Sequence, residues 1–262
     1  MKTHFVRLTV FSIICIFVFV ASIKPKPVQL FLIGDSTVKN GSGKGGDGLW
    51  GWGTVLPELF DTTKIKIYNH AIGGRSSRNF LTEGRWDKVL AQLQPGDYVI
   101  MQFGHNDGGP INDTIRARGT FKGIGNESEE IDNLITKKHE TVHSYGWYMR
   151  KYIDEAKAKG AIPIVCSPVP RNIFKDGKIE RSESGYGLWA KQVAQTNGAD
   201  FIDLFEIIAK KYDILGPEKV QTDLFTAKDH THTTEAGARV NAQAVVDGIK
   251  DLKKNSLKQY LR

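Results

Sequence analysis

Short runs in which almost every position is apolar recur along the chain, separated by stretches whose apolar positions repeat at helical spacing. The runs are "VQLFLI" at 28–33, "KIKIYN" at 64–69, "DYVIMQF" at 97–103, "IPIVCS" at 162–167 and "DFIDLF" at 200–205. Their length and β-branched or aromatic content predict five strands. "YGWYMRKYIDEAKAKG" closes on Gly160 after a basic last turn and "SGYGLWAKQVAQTNG" closes on Gly198, both with the stop signal of a helix. "TTEAGARVNAQAVVDGIKDL" opens with threonines and an early Glu235, as a helix N-terminus does. Strands alternating with helices imply a parallel sheet covered on both faces.

One region breaks the alternation. From Gly108 to Ser144 the chain is polar and aperiodic, which predicts a long insertion near the carboxyl edge of the sheet. No internal repeat or low-complexity tract is present. The 262 residues, 40% of them hydrophobic, suit one domain with a sizeable core.

The first residues have a different character. Lys2 and Arg7 precede "LTVFSIICIFVFVAS", and Lys24, Pro25, Lys26 and Pro27 follow at once. A basic start, a short apolar run and a small-residue site at Val20-Ala21-Ser22 predict a secretory signal peptide over 1–22, the run being shorter than the roughly 20 residues that span a bilayer. Residues 23–262 then form the mature chain, exported to a periplasm or secreted, with no stable membrane association after cleavage. Cleavage removes Lys2 and Arg7 and no acid, which moves the formal balance from +7 to +5. Only Cys166 remains, so a packed core rather than disulfides holds the fold. The positive excess is mild and has no basic stripe or zinc spacing; nucleic acid is not an expected partner, whereas an acidic polymer is compatible with it.

In an open α/β sheet, ligands sit beyond the carboxyl ends of the strands. The first strand runs into Gly34-Asp35-Ser36, the second into Asn69-His70-Ala71-Ile72-Gly73-Gly74-Arg75-Ser76, and the third into Gly104-His105-Asn106-Asp107. Asp229-His230-Thr231-His232 precedes the final helix. A serine hydroxyl becomes a nucleophile when an imidazole accepts its proton and a carboxylate fixes the tautomer of that imidazole; Ser36, His232 and Asp229 are the matching types. The amides of Ser36 and Gly74 and the side chain of Asn106 are the donors that an oxyanion needs.

Other readings of the same residues stay open at this level. Ser36 alone suits a turn or a helix cap, and Asp35 suits a turn bond. Asp229, His230 and His232 suit part of a zinc site, though no further cluster supplies the missing ligands. Gly73-Gly74-Arg75-Ser76 suits the phosphate cradle of a flavodoxin-like anion-binding module. His70, His139 and His143 read as surface or loop residues, His105 as a residue that orients the Asn106 turn, and Trp50 and Trp52 as core or rim packing.

Taken together, Gly-Asp-Ser36, Gly74, Asn106 and Asp229-x-x-His232 resemble, in order, the four blocks of the SGNH (GDSL-type) esterase superfamily. "GWG" at 51–53, "NHAIGGRSSRNF" at 69–80, "FGHNDGG" at 103–109, "YGWYMRKYI" at 145–153 and "DHTHTTEAGA" at 229–238 resemble the rhamnogalacturonan acetylesterase family in particular, over about residues 28 to 250. One departure is a first block that reads Gly-Asp-Ser-Thr, without the leucine. The resemblance implies an α/β, flavodoxin-like three-layer sandwich with a five-stranded parallel sheet, in a single SGNH hydrolase domain over 23–262. It implies a serine esterase that removes acetyl groups from a pectic polysaccharide, most directly rhamnogalacturonan, with a general carbohydrate acetylesterase or a lipase-like esterase as the alternatives. Ser36 is then nucleophile, His232 base, Asp229 its partner, and Ser36, Gly74 and Asn106 the oxyanion hole, with no cofactor or metal. Arg75 and Arg78 beside the oxyanion turn, with Arg116, Arg118 and Lys122 in the insertion, predict a basic rim facing that acidic polymer.

Overall fold

The computed structural model describes residues 26–262, so the signal-like segment lies outside the described residues. In chain order the elements are β1 (Val28–Gly34), α1 (Trp52–Val55), β2 (Ile65–Asn69), α2 (Ser77–Thr82), α3 (Arg85–Leu90), β3 (Tyr98–Gln102), β4 (Ser128–Asp132), β5 (His139–His143) and α4 (Tyr145–Ala158). Then follow β6 (Ile162–Cys166), β7 (Phe174–Lys175), β8 (Lys178–Ile179), α5 (Tyr186–Thr196), β9 (Asp200–Ile202), α6 (Leu204–Leu215), α7 (Pro217–Lys219) and α8 (Glu235–Asp251).

Five strands form one parallel sheet in the order β2-β1-β3-β6-β9, the flavodoxin-like arrangement. Successive side chains of a strand point to opposite faces, and β1 divides its apolar residues accordingly. Leu30 and Leu32 enter a core with Trp52, Ile208, Ala242 and Val245, beneath α1, α6 and α8. Phe31 and Ile33 enter a second core with Phe80, Trp86, Met149 and Val193, beneath α2 to α5. Every residue of β3 is buried, as a central parallel strand requires. Two helical layers sandwiching one sheet are what the alternating pattern predicts.

The helix stops also behave as expected. Gly160, at φ +74°, sits in the left-handed region that ends α4. Thr234 caps α8 by accepting from the Gly237 amide at 3.3 Å.

Three features differ from the sequence expectation. The run 200–205 is a strand only to Ile202: Asp203 accepts from the Glu206 amide at 3.3 Å and starts α6, so the apolar run continues as the buried face of a helix. α2 and α3 fill residues 77–90, where no element was expected. The polar region 108–144 is not structureless, because β4 and β5 pair there as an antiparallel hairpin. Only Ile131 and Val142 of that hairpin are buried, too few to leave an alternating apolar signature.

The hairpin is tied to the body of the protein by an arginine. The Arg78 side chain is fully buried, pairs with Glu140 at 2.6 Å, and donates to the carbonyls of Ile111 and Gly119 at 2.6 and 2.9 Å. Arg78 is therefore an internal strut and not part of the basic rim. Burying a guanidinium is tolerable only with its charge paired and its donors satisfied, and both conditions hold here.

Candidate functional site

The site lies where the direction of strand succession reverses, outside the carboxyl ends of β1 and β3. The chain leaves β1 at Gly34 and makes a tight turn: the amides of Val38 and Lys39 both donate to the Asp35 carbonyl at 3.1 Å. Asp35 Oδ1 accepts from the Thr37 amide at 2.9 Å and the Thr37 hydroxyl at 2.7 Å. Asp35 Oδ1 is thus consumed by the turn while Oδ2 is buried without a partner among the described residues, and Ser36 is left half-buried at the crest with no bond spent by its own amide among the described residues.

The residue where the leucine of the GDSL pattern stands has its own partner. Thr37 Oγ1 accepts from Gln102 Nε2 at 2.6 Å, and Gln102 Oε1 accepts from the Trp52 indole at 2.9 Å. A buried chain Trp52–Gln102–Thr37–Asp35 therefore runs beneath the Ser36 turn. Sequence reasoning missed it, although Gln102, polar within an otherwise apolar run, was a signal. Trp52 is core, and Trp50 packs against the same core.

Opposite the turn, residues 229–234 form a loop pinned at its carboxyl end. The Trp50 amide donates to the Thr233 carbonyl at 2.8 Å, and the Thr234 amide to the Leu224 carbonyl at 2.9 Å. His232 Nε2 lies 2.8 Å from Ser36 Oγ, and His232 Nδ1 lies 2.6 Å from Asp229 Oδ2. Asp229 Oδ1 accepts from the amides of Thr231 and His232 at 2.7 and 2.9 Å. Partial burial works to raise the Asp229 carboxyl, but these amides and the His232 ring outweigh it and hold the group below its usual range. His230 is exposed and its Nδ1 meets Thr231 Oγ1 at 3.1 Å, so it does not join Asp229 and His232. Among the described residues no three His, Cys, Asp or Glu side chains converge as metal ligands would.

The donors converge from two further loops. Gly74 has φ +78°, a left-handed conformation that favours glycine, and its amide has no partner among the described residues. Beside it, a Cβ built on Gly73 would lie 3.5 Å from the Ser36 Cβ, so this turn runs against Ser36. Asn106 donates one amide proton to the Arg75 carbonyl at 3.0 Å, which orients the side chain, and its second N–H has no partner among the described residues. Asp107 holds this arrangement from below: its Oδ1 accepts from the Ser77 amide at 3.0 Å and the Ser77 hydroxyl at 2.5 Å, while its own amide donates to Gly104. Burial pushes the Asp107 carboxyl up to about 7 against the pull of the Ser77 bonds.

The remaining histidines stay outside this constellation. His139 is exposed and pairs with Glu130 and Asp132, His143 stacks on Trp147, and His70 lies against Phe31. His105 is adjacent to Asn106, and burial lowers its affinity for a proton. It faces a cavity of about 530 Å³ whose other walls include Pro168, Val169, Arg171 and Tyr186. That cleft was not visible in the sequence, since its walls come from four stretches far apart in the chain.

A neutral imidazole bonded to a serine hydroxyl on one side and a carboxylate on the other can remove the hydroxyl proton, with free N–H groups close by. The description GDSL-like lipase/acylhydrolase family matches residues 32–240, a span that contains Ser36, Gly74, Asn106, Asp229 and His232. The chain is 32% identical over 221 residues to the rhamnogalacturonan acetylesterase of Emericella nidulans, covering 84% of each protein. It is 33% identical to the probable rhamnogalacturonan acetylesterase YesY of Bacillus subtilis, over 86% of this chain and 93% of that one. Among solved structures, the protein YxiM of Bacillus subtilis superposes with a TM-score of 0.67 at 25% identity, over 86% of this chain and 56% of that chain's length. The acetylxylan esterase Axe2 of Geobacillus stearothermophilus has the same fold, with a TM-score of 0.57 at 20% identity. The chain belongs to the GDSL-like lipase/acylhydrolase family.

Proposed function

We propose that the protein is a carbohydrate acetylesterase that removes acetyl groups from a pectic polysaccharide, with rhamnogalacturonan as its substrate. The single observation that carries the chemistry is the unbroken chain Ser36 Oγ–His232–Asp229, at 2.8 and 2.6 Å. His232 Nε2 takes the Ser36 proton as Oγ attacks the acetyl carbonyl. The carbonyl π electrons move onto oxygen, which the amides of Ser36 and Gly74 and the free N–H of Asn106 receive. The intermediate collapses, the bond between the acyl carbon and the sugar oxygen breaks, and the imidazolium gives its proton to the departing sugar oxygen. Water then attacks the acyl-serine, gives its proton to His232, and acetate leaves as Ser36 is reprotonated. Asp229 keeps Nδ1 protonated throughout and stabilises the imidazolium. No cofactor enters these steps.

The substrate rests on a likeness to relatives named as rhamnogalacturonan acetylesterases at about one-third identity. Likeness to the acetylxylan esterase at 20% identity bears on fold alone. The residues 1–22 support export, and residues 23–262 serve as one hydrolase domain; the N-terminal sequence of protein recovered outside the cytoplasm tests the cleavage after Ser22. Acetate release from a panel of acetylated polysaccharides tests the substrate. Preference for acetylated rhamnogalacturonan over acetylated xylan is expected; the reverse preference replaces the pectic assignment with a general carbohydrate acetylesterase.

A further inference from the structure

Trp50 and Leu224 hold residues 229–234 at their carboxyl end, and two other parts of the chain reach the amino end. The Asn172 amide donates to the His230 carbonyl at 2.7 Å. The Asn172 side chain donates to Gln221 Oε1 at 2.6 Å, and Gln221 Nε2 donates in turn to the Thr226 carbonyl at 3.1 Å. That same carbonyl accepts from the Asp229 amide at 3.3 Å. Asn172 and Gln221 therefore grip the chain on both sides of Asp229, at the residue after it and at the third residue before it. Ala227 and Lys228, between the two grips, are exposed.

Both residues stand on firm supports. The Ile173 amide donates to the Arg171 carbonyl at 2.8 Å, a three-residue turn with Asn172 at its crest, which leaves the Asn172 amide to face residue 230. Directly after this turn, β7 and β8 pair across Asp176 and Gly177, whose φ values of +52° and +77° are the left-handed pair of a two-residue hairpin. Ile179 of β8 is buried in the core with Ile208 and Tyr212 of α6. Asp213 of α6 accepts from the Ile179 amide at 2.7 Å and from Arg181 at 2.8 Å, so the hairpin is fixed at its base. Gln221 belongs to the π-helical turn Val220–Leu224, a rare form that is frequent at functional sites. That turn ends on Leu224, whose carbonyl accepts from the Thr234 amide, so one turn serves both ends of the loop. Gln221 is exposed, and water competes for each of its bonds; the grip adds little to global stability, and its effect falls on the position of Asp229.

We propose that Asn172 and Gln221 are positioning residues for the Ser36–His232–Asp229 relay, which together fix the backbone around Asp229 so that its Oδ2 meets His232 Nδ1; the proposal rests on the serine mechanism above. A misplacement of about 1 Å can cost on the order of 10²-fold in rate, so a loosened grip shows in kcat before it shows in folding. The test measures kcat and KM for a small neutral acetyl ester beside a thermal melt of the whole protein, with Ser36→Ala as the reference. Gln221→Ala is expected to lower kcat about tenfold, with KM within about twofold and the melting temperature nearly unchanged. Gln221→Glu has the same size and keeps the acceptor for Asn172, but it offers the Thr226 carbonyl no donor, and it is expected to lose as much as Gln221→Ala. Asn172→Ala is expected to lower kcat in the same way, and the double variant to lose no more than the larger of the single losses, because the two residues act as one unit. Wild-type kcat in either Gln221 variant overturns the proposal. So does a double variant whose loss is the product of the single losses, or a fall in activity matched by a fall in folded protein. If Ser36→Ala stays active, the serine mechanism itself fails; if Ser36→Ala is inactive while the Gln221 variants are unaffected, only the positioning role fails.

Discussion

His232 Nε2 rests 2.8 Å from Ser36 Oγ, although 196 residues separate the two in the chain. The contact joins a turn after the first strand to a loop pinned against Trp50 and Leu224. Ser36→Ala is expected to abolish hydrolysis of a small acetyl ester while leaving the melting temperature nearly unchanged, because the half-buried hydroxyl bonds only His232 among the described residues. A kinetic assay beside a thermal melt checks both halves. Activity within about tenfold of wild type would falsify the serine mechanism, given that removing a triad nucleophile costs on the order of 10⁶-fold in kcat.

Asp229 divides its oxygens between two tasks, which makes its amide variant informative. Oδ1 receives the amides of Thr231 and His232, and Oδ2 receives His232 Nδ1. Asp229→Asn can keep the first set, but it presents an N–H where the ring needs an acceptor. The expected loss in kcat is on the order of 10²- to 10⁴-fold with little change in stability, as for tautomer loss in serine triads. A loss smaller than tenfold would show that the ring is oriented without Asp229.

Chelators are expected to have no effect on turnover. His230 bonds Thr231 and does not join Asp229 and His232, and among the described residues no three His, Cys, Asp or Glu side chains converge as metal ligands would. Activity lost in EDTA and restored by zinc would instead support the metal reading of Asp229, His230 and His232.

Replacing Thr37 by leucine brings the first block to the common Gly-Asp-Ser-Leu. Here it removes the acceptor for the fully buried Gln102 Nε2 and one donor to Asp35. Thr37→Leu is expected to destabilise the fold by about 1–3 kcal/mol, the cost of a stranded buried polar group, measured by denaturant unfolding. Unchanged stability would mean that Gln102 and Asp35 do not depend on this link.

The buried Asp107 predicts a stability that changes with pH in a defined direction. Its carboxyl is raised from 3.8 to about 7, so the folded protein holds a proton that the unfolded chain releases across that interval. The stability tied to that proton is fully present below the ordinary carboxylate range and is lost as pH rises through about 7. Asp107→Asn, which keeps an oxygen acceptor for Ser77 and cannot ionise, is expected to remove a slope approaching about 1.4 kcal/mol per pH unit between those limits. Parallel stability curves for the two proteins between pH 4 and 7 would show that the carboxyl is not raised.

Much of the site was legible because its parts are short and local. Ser36, Gly74 and Asn106 each follow an apolar run, and the rule that parallel strands deliver their carboxyl ends to one edge brings the three together without coordinates. The Thr234 cap and the Gly160 stop were equally visible, since each depends on bonds within one turn of chain. The run at 200–205 misled for a related reason: over six residues a buried strand and the apolar face of a helix look alike, and only the Asp203 cap separates them.

By itself, then, the sequence determined the α/β class, the five strands of the parallel sheet, three of its helices and the chemical types gathered at one edge, because hydrophobic periodicity and capping act between near neighbours. Tertiary structure alone decided which arginines are buried and paired. Arg78 and Arg118 look equivalent in the chain, yet Arg78 is buried against Glu140, 62 residues away, while Arg118 is half-buried, makes no ion pair among the described residues and donates to the Gly74 carbonyl. The difference is set by desolvation and by the distance to the nearest opposite charge, and both are properties of position in space, to which the spacing of residues along the chain gives no access.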